Sequence, residues 1–223
     1  MTLDTVLDLL PAAGSSQMKK AFLRQGYPEP LYGVSTANLR RLAKTVGRDL
    51  TLARELWETG NHDCKCLAIL IGLPAACDSD EMDAFANACN SPALANLFAE
   101  VTLNRPDARE WIAAWVTEDA SANQKRVGYE VLSFAADEWG PQEDFFFSAY
   151  LTLIEETILA EPVTVRMAMN SALISIGLRG GGLTDQAIGV ATRSGAMDWV
   201  GALTEEPIPN ALDRLVGLRR LGA

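Results

Sequence analysis

The sequence has a single histidine, His62, and only four cysteines, Cys64, Cys66, Cys77 and Cys89, all inside one short window. A zinc site would have to be built from that cluster almost alone. Cys64 and Cys66 have one residue between them, whereas structural zinc pairs favour two or more. The pattern points to buried, reduced thiols and to no metal. No run approaches the roughly 18–20 apolar residues of a membrane span, and the first residues lack the charged-then-apolar pattern of a secretory signal. The expectation is a soluble, cytoplasmic monomer that uses no cofactor. Strand signals are equally scarce: no Val/Ile/Thr alternation is bounded by Asn-Gly or Asp-Gly turns. Gly180-Gly181-Gly182 has neither the Lys-Ser/Thr nor the strand of a phosphate loop, so it reads as a turn. No Ser-His-Asp or Cys-His arrangement is legible.

Positive charge is also in short supply. The 223 residues carry 19 Lys and Arg against 29 Asp and Glu, a net charge of −10. That opposes strong general affinity for nucleic acid or acidic membranes, because phosphate binding is mostly electrostatic. The deficit is uneven, however. Residues 1–54 hold eight basic groups and four acidic ones, so the first quarter is +4 and the remainder is −14. This asymmetry is the first functional clue.

What the chain does have is helical periodicity from end to end. Leu3, Val6, Leu7 and Leu10 recur at helical spacing, and after Ser35, a good N-cap, Leu39, Leu42, Ala43 and Val46 form one stripe that Gly47 stops. Further helices are predicted around Leu52–Trp57, Leu67–Leu73 (stopping near Pro74), from Asp80, from Pro92, from Pro106 through Trp111 and Trp115, and over 127–139, 145–159, 163–176 and 183–191. Short helices with short linkers mean antiparallel neighbours stacked in sequence. More helices than a four-helix core can hold favour an α-solenoid of HEAT-like antiparallel helix pairs, all-α, with residues 1–223 as a single domain.

The stretch from Tyr32 to Leu70 contains Gly33-Val34-Ser35, Leu39 to Lys44, Leu52 to Trp57 and His62-Asp63-Cys64-Lys65, preceded by Gln17-Met18-Lys19-Lys20. It resembles the DNA alkylation repair family of HEAT-like (AlkD-like) DNA glycosylases. Val165 to Gly177 resembles a late helix of one branch of that family. The resemblance implies duplex DNA held in a basic concave groove, and hydrolysis of the N-glycosidic bond of cationic alkylpurines without metal or cofactor. It also implies a Trp and an Asp four residues apart on one helix face. At those positions this chain has Pro92 and Asn96, and an amide cannot supply negative charge to an oxocarbenium-like transition state. Ser171 and Ile174 stand where the family sets a second Trp and an Arg, and the family's middle-helix Arg corresponds to Lys125 or Arg126. Weak or absent base excision is therefore expected. Of the branch's C-terminal pattern, the stretch from Gly195 to Pro209 and on to Ala211 keeps Pro209 and Ala211 alone.

Several residues are open to two readings. Arg40, Lys44 and Arg48 step by four with Arg41 beside them, either as a phosphate-contacting ridge or as a solvated face; Lys19 and Lys20 extend either one. His62 beside Asp63 is a general acid–base pair or a structural contact at a tight turn. Trp111 and Trp115 stack on exposed bases or fill the core. Phe145, Phe146 and Phe147 cannot all face inward, which makes at least one a wedge or partner surface or a rim contact. Arg166, four residues before Asn170 in an apolar helix, lines the groove or pairs with a carboxylate. The DNA-binding set is accordingly Lys19, Lys20, Arg40, Arg41, Lys44, Arg48, Lys125, Arg126 and Arg166. The alternative is a HEAT-repeat scaffold that has lost catalysis and binds a protein partner.

Overall fold

Polar caps start most of the helices. The side chains of Ser15, Ser35, Asp49, Asp78, Ser91 and Ser121 each accept a hydrogen bond from a first-turn amide, which satisfies donors that a helix start otherwise leaves open. The structure is a computed structural model that describes residues 1–195, 197, 199, 202 and 207–220. Among the described residues there are α1 Leu3–Ala13, α2 Ser16–Arg24, α3 Thr36–Val46, α4 Leu50–Glu58, α5 His62–Leu70, α6 Ser79–Asn87 and α7 Pro92–Leu103. They are followed by α8 Ala108–Trp115, α9 Ala122–Glu138, α10 Asp144–Thr157, α11 Val163–Leu178, α12 Gly181–Ser194 and α13 Ala211–Arg220. The only strand-like pairing among them is one isolated bridge, Gly14 to Val34. The fold is all-α, and no described helix is long and apolar enough to cross a membrane.

The chain divides into two compact units, Met1–Arg105 and Pro106–Ala223. In the first, α5 is central: α3, α4 and α7 all pack against it. Cys64, Leu67, Ala68 and Ile69 of α5 are wholly buried there. In the second, α11 has that place, packed against α9, α10, α12 and α13, with Ala172, Leu173 and Ile176 wholly buried. Sequential helices pair and alternate helices stack, the HEAT-like arrangement that short linkers imply. All four cysteines are buried, free thiols.

One tie holds the first unit's early helices. Asp63, wholly buried in the first turn of α5, accepts hydrogen bonds from three successive backbone amides: Tyr32 N at 2.5 Å, Gly33 N at 3.2 Å and Val34 N at 2.9 Å. Asn61 Oδ1 caps the same helix by accepting from Asp63 N and Cys64 N. The turn so held docks on the α1–α2 junction, where Ser15 N donates to Gly33 O at 3.1 Å. Gly33 has φ +77°, and a Cβ there would lie 2.4 Å from Lys19 N. Only glycine fits that approach. Ser35 then starts α3 directly after the turn, so the Asp63 carboxylate sets where α3 begins.

The structure departs from the sequence expectations at several ends. The α5 helix stops at Leu70, because Gly72 turns left-handed (φ +112°) into a short 3-10 turn, Leu73–Ala76. Pro106 lies outside α8, which starts at Ala108. Gly180 precedes α12, but Gly181 and Gly182 belong to its first turn. The sequence signals miss α2, which buries no residue completely, and α13, whose core contacts rest on Ala211 and Leu215. The expected pattern between Gly195 and Pro209 falls largely outside the described residues.

Replacing Asp63 with Ala strands three backbone donors in the interior. The expected cost is about 3–5 kcal/mol, read as a lower urea midpoint. A loss below about 1 kcal/mol would show that the turn is held by other means.

Candidate nucleic-acid interface

The face of α3 that points away from the core carries Arg40, Arg41 and Lys44, all exposed, and exposed Arg48 follows one residue after the Gly47 cap. Arg48 is therefore not on the helix, yet it continues the row. Arg40, Lys44 and Arg48 together line a cleft of about 510 Å³, whose other walls are Ala43, Gly47, Leu70, Ile71, Gly72 and Ala75. No carboxylate lines it. Arg40 is held by Glu100 of α7 through both guanidinium nitrogens, one at 3.0 Å. Arg41 donates to Asn38 Oδ1 at 2.8 Å. Among the described residues, Lys44 and Arg48 meet no carboxylate. Lys20 is exposed, while Lys19 pairs with Glu29 at 3.1 Å.

The other predicted cations belong to the second unit and are placed differently. Lys125 is largely buried and bonds Glu161 at 2.6 Å. Arg126 is buried one residue further along α9, and Glu130 follows one turn later. Burial pushes the Glu130 carboxyl up to about 7, against the pull of the Arg126 guanidinium. Arg166 is half-buried, and Asn170 donates to Pro209 O at 3.0 Å. Trp111 and Trp115 are core residues, their ring centroids 4.9 Å apart. Phe147 is wholly buried, Phe146 half-buried and Phe145 88% exposed, which is the split three consecutive helical residues require.

His62 is also part of the framework. Its ring is buried, Nε2 shares a 2.8 Å hydrogen bond with Ser91 Oγ, and the Tyr27 ring lies tilted against it, centroids 4.9 Å apart. Ser91 caps α7, so His62 links the starts of α5 and α7. Burial pulls the imidazole pKa down to about 4, with Asp63 opposing and Lys65 adding to the fall. A neutral ring shielded in this way, with Asp63 spent on three amides, is no acid–base pair.

A family sequence profile described as DNA alkylation repair enzyme matches residues 9–196. The chain belongs to the DNA alkylation repair family. No curated protein sequence matches it. A solved structure, described as "A new family of proteins related to the HEAT-like repeat DNA glycosylases with affinity for branched DNA structures", superposes with a TM-score of 0.88 at 22% identity. The match covers 100% of this chain and 95% of that one. The fold is thus that of the HEAT-like repeat glycosylases.

The exposed stripe of α7 carries the two positions at which the family resemblance implies a Trp and an Asp. Pro92 is the first residue of the helix, Asn96 is exposed one turn on, and Glu100 follows after another turn. The first carboxylate on that stripe is Glu100, and Arg40 holds it. Sequence reasoning did not single out Glu100, because its partner lies 60 positions away. It also missed Arg179, which donates to the carbonyls of Ala136, Trp139 and Gly140 and to Asp144, and so closes the end of α9. A basic residue just past a helix end was the available signal.

The depressed His62 pKa gives a pH test with a definite sign. The unfolded chain binds the proton near pH 6.5, before the folded chain does near 4, so stability falls as pH drops through that window and levels off below it. This contribution amounts to about 2–3 kcal/mol between pH 7 and 4.5. His62→Gln should lose less stability than wild type over the same range in urea unfolding. Parallel pH profiles would assign the effect elsewhere.

Proposed function

We propose that this member of the DNA alkylation repair family binds DNA by its phosphate backbone, through the ridge of Arg40, Arg41, Lys44 and Arg48, and excises alkylated bases weakly or not at all. The observation that carries the reading is the cation-lined cleft beside α3, free of carboxylates in a chain of net charge −10. Exposed Lys20 on α2 adds positive charge to the same unit, while the charge of Lys19 is paired with Glu29. The affinity for branched DNA stated for the protein of the same fold supports DNA as the partner. Contacts of this kind read no bases, so both duplexes and junctions are ligands.

The weak-excision reading rests on Pro92 and Asn96. Loss of a cationic purine leaves positive charge on the sugar, and the stripe that should face it offers an amide. Glu100 does not replace the acid, because its charge is spent on Arg40. Removing one such electrostatic stabiliser commonly costs about 10²–10³ in rate. Single-turnover release of 7-methylguanine should accordingly stay near the uncatalysed rate, and robust release would refute this part of the reading.

A protein-scaffold reading is favoured by one observation, the exposed Phe145 in the first turn of acidic α10. A salt titration separates the two. For duplex and for a four-way junction, log affinity against log salt should slope by about −0.9 per phosphate contact. Arg40→Ala/Lys44→Ala should weaken binding similarly for different sequences and flatten the slope by roughly two. Identical affinity and slope for the double variant would reduce the ridge to a solvated face. No binding of either DNA at low salt would leave the scaffold reading in first place.

A further inference from the structure

The cleft beside α3 contains more than a phosphate contact needs. A duplex backbone lying along the ridge would touch only its cationic rim. Below that rim are Ala43, Leu70, Ile71 and Ala75, an aliphatic floor in a concave space of about 510 Å³, the size of a small-molecule site. Paired bases are turned inward in a duplex and cannot reach such a floor, whereas a base outside the stack can. We propose that this cleft is a subsite for one unstacked nucleotide of DNA, its phosphates on Lys44 and Arg48 and its base against Leu70, Ile71 and Ala75. This rests on the DNA-binding reading above and adds which part of the DNA the cleft takes.

The walls are fixed in place. Gly72 has φ +112°, and a Cβ there would lie 3.3 Å from Arg48 Cγ, so the glycine lets the Arg48 stem run over the start of the 3-10 turn. Asp49 N donates to Ile71 O at 3.4 Å, which joins the α3–α4 linker to the end of α5. The cleft thus lies between two helix C-termini, α3 ending at Val46 and α5 at Leu70. Helix C-termini carry partial negative charge. They suit the amino groups of a base, and the three cations supply what the phosphates need. Two of those cations, Lys44 and Arg48, need not leave a carboxylate to do so, whereas Arg40 must trade Glu100 for a phosphate. The subsite therefore works chiefly through Lys44, Arg48 and the floor.

The test uses the full chain and a short duplex with 2-aminopurine either as a single unpaired bulge or paired opposite thymine. Affinity is read by anisotropy and exposure of the base by acrylamide quenching of 2-aminopurine fluorescence. Wild type should bind the bulged duplex about tenfold more tightly, with its 2-aminopurine shielded from acrylamide. Ala75 is exposed, so Ala75→Trp fills the cleft without entering the core. That variant should lose both the preference and the shielding while its affinity for the paired duplex stays within about twofold of wild type. Equal affinity of wild type for the two DNAs overturns the subsite and leaves DNA binding standing. So does an Ala75→Trp variant that keeps the preference and the shielding. Failure of wild type to bind either DNA at low salt overturns the subsite and the DNA-binding reading together.

Discussion

A buried carboxylate with three backbone amides in its grip decides where the cations of α3 stand. Asp63 receives Tyr32, Gly33 and Val34 in succession, and α3 starts two residues later. Charge-assisted bonds of this kind are short and strong, and a lone ionised group in that interior would be untenable without them. The carboxylate in turn is fixed at the head of α5 by the Asn61 cap, beside His62, whose ring ties α5 to the head of α7. Three helices, α3, α5 and α7, therefore take their starting points from a few adjacent residues. The ridge on α3 and the stripe on α7 meet through Arg40 and Glu100 because of that common origin.

Net charge conceals how the cations are used. In the second unit, Arg109, Lys125, Arg179 and Arg193 each bond a carboxylate there, and Arg109 and Arg179 also lie over aromatic rings. Those charges are paired within the unit. In the first unit, Lys44 and Arg48 are exposed beside a cleft without acids. An excess of acid over the whole chain is compatible with a local anion site when the acids are engaged or elsewhere, since exposed charges beyond about 10 Å are largely screened at moderate salt.

Local information in the sequence was enough for the helices and their caps. Ser35, Gly47 and Pro92 sit at the helix ends that the sequence stripes require. It was not enough for α2, because Ser16–Arg24 turns only half-buried side chains inward and so has no apolar stripe to display. The site divides in the same way. The Arg40–Lys44–Arg48 row was legible from its spacing, although Arg48 reaches the cleft from beyond the helix. What could not be read were the partners: Glu100 for Arg40, the Tyr32–Val34 amides for Asp63 and Glu161 for Lys125 are all about 30 or more positions away. Periodicity reports which face of an element is apolar, and carries no information about which distant element meets it.

The same distant pairing bears on chemistry. A glycosylase needs a carboxylate that stays free to face a developing cation, and preorganised charge helps only where it is aimed. On α7 the sequence Pro92, Asn96, Glu100 puts its one acid a turn further along the helix, where a bidentate arginine from α3 takes it. That pair joins α3 to α7 through half-exposed side chains. On the proposed function, binding and chemistry would draw on a single side chain. With Arg40 committed to Glu100, Lys44 and Arg48 are the cations at the cleft that meet no carboxylate among the described residues, while Asn96 presents an amide on the exposed stripe of α7.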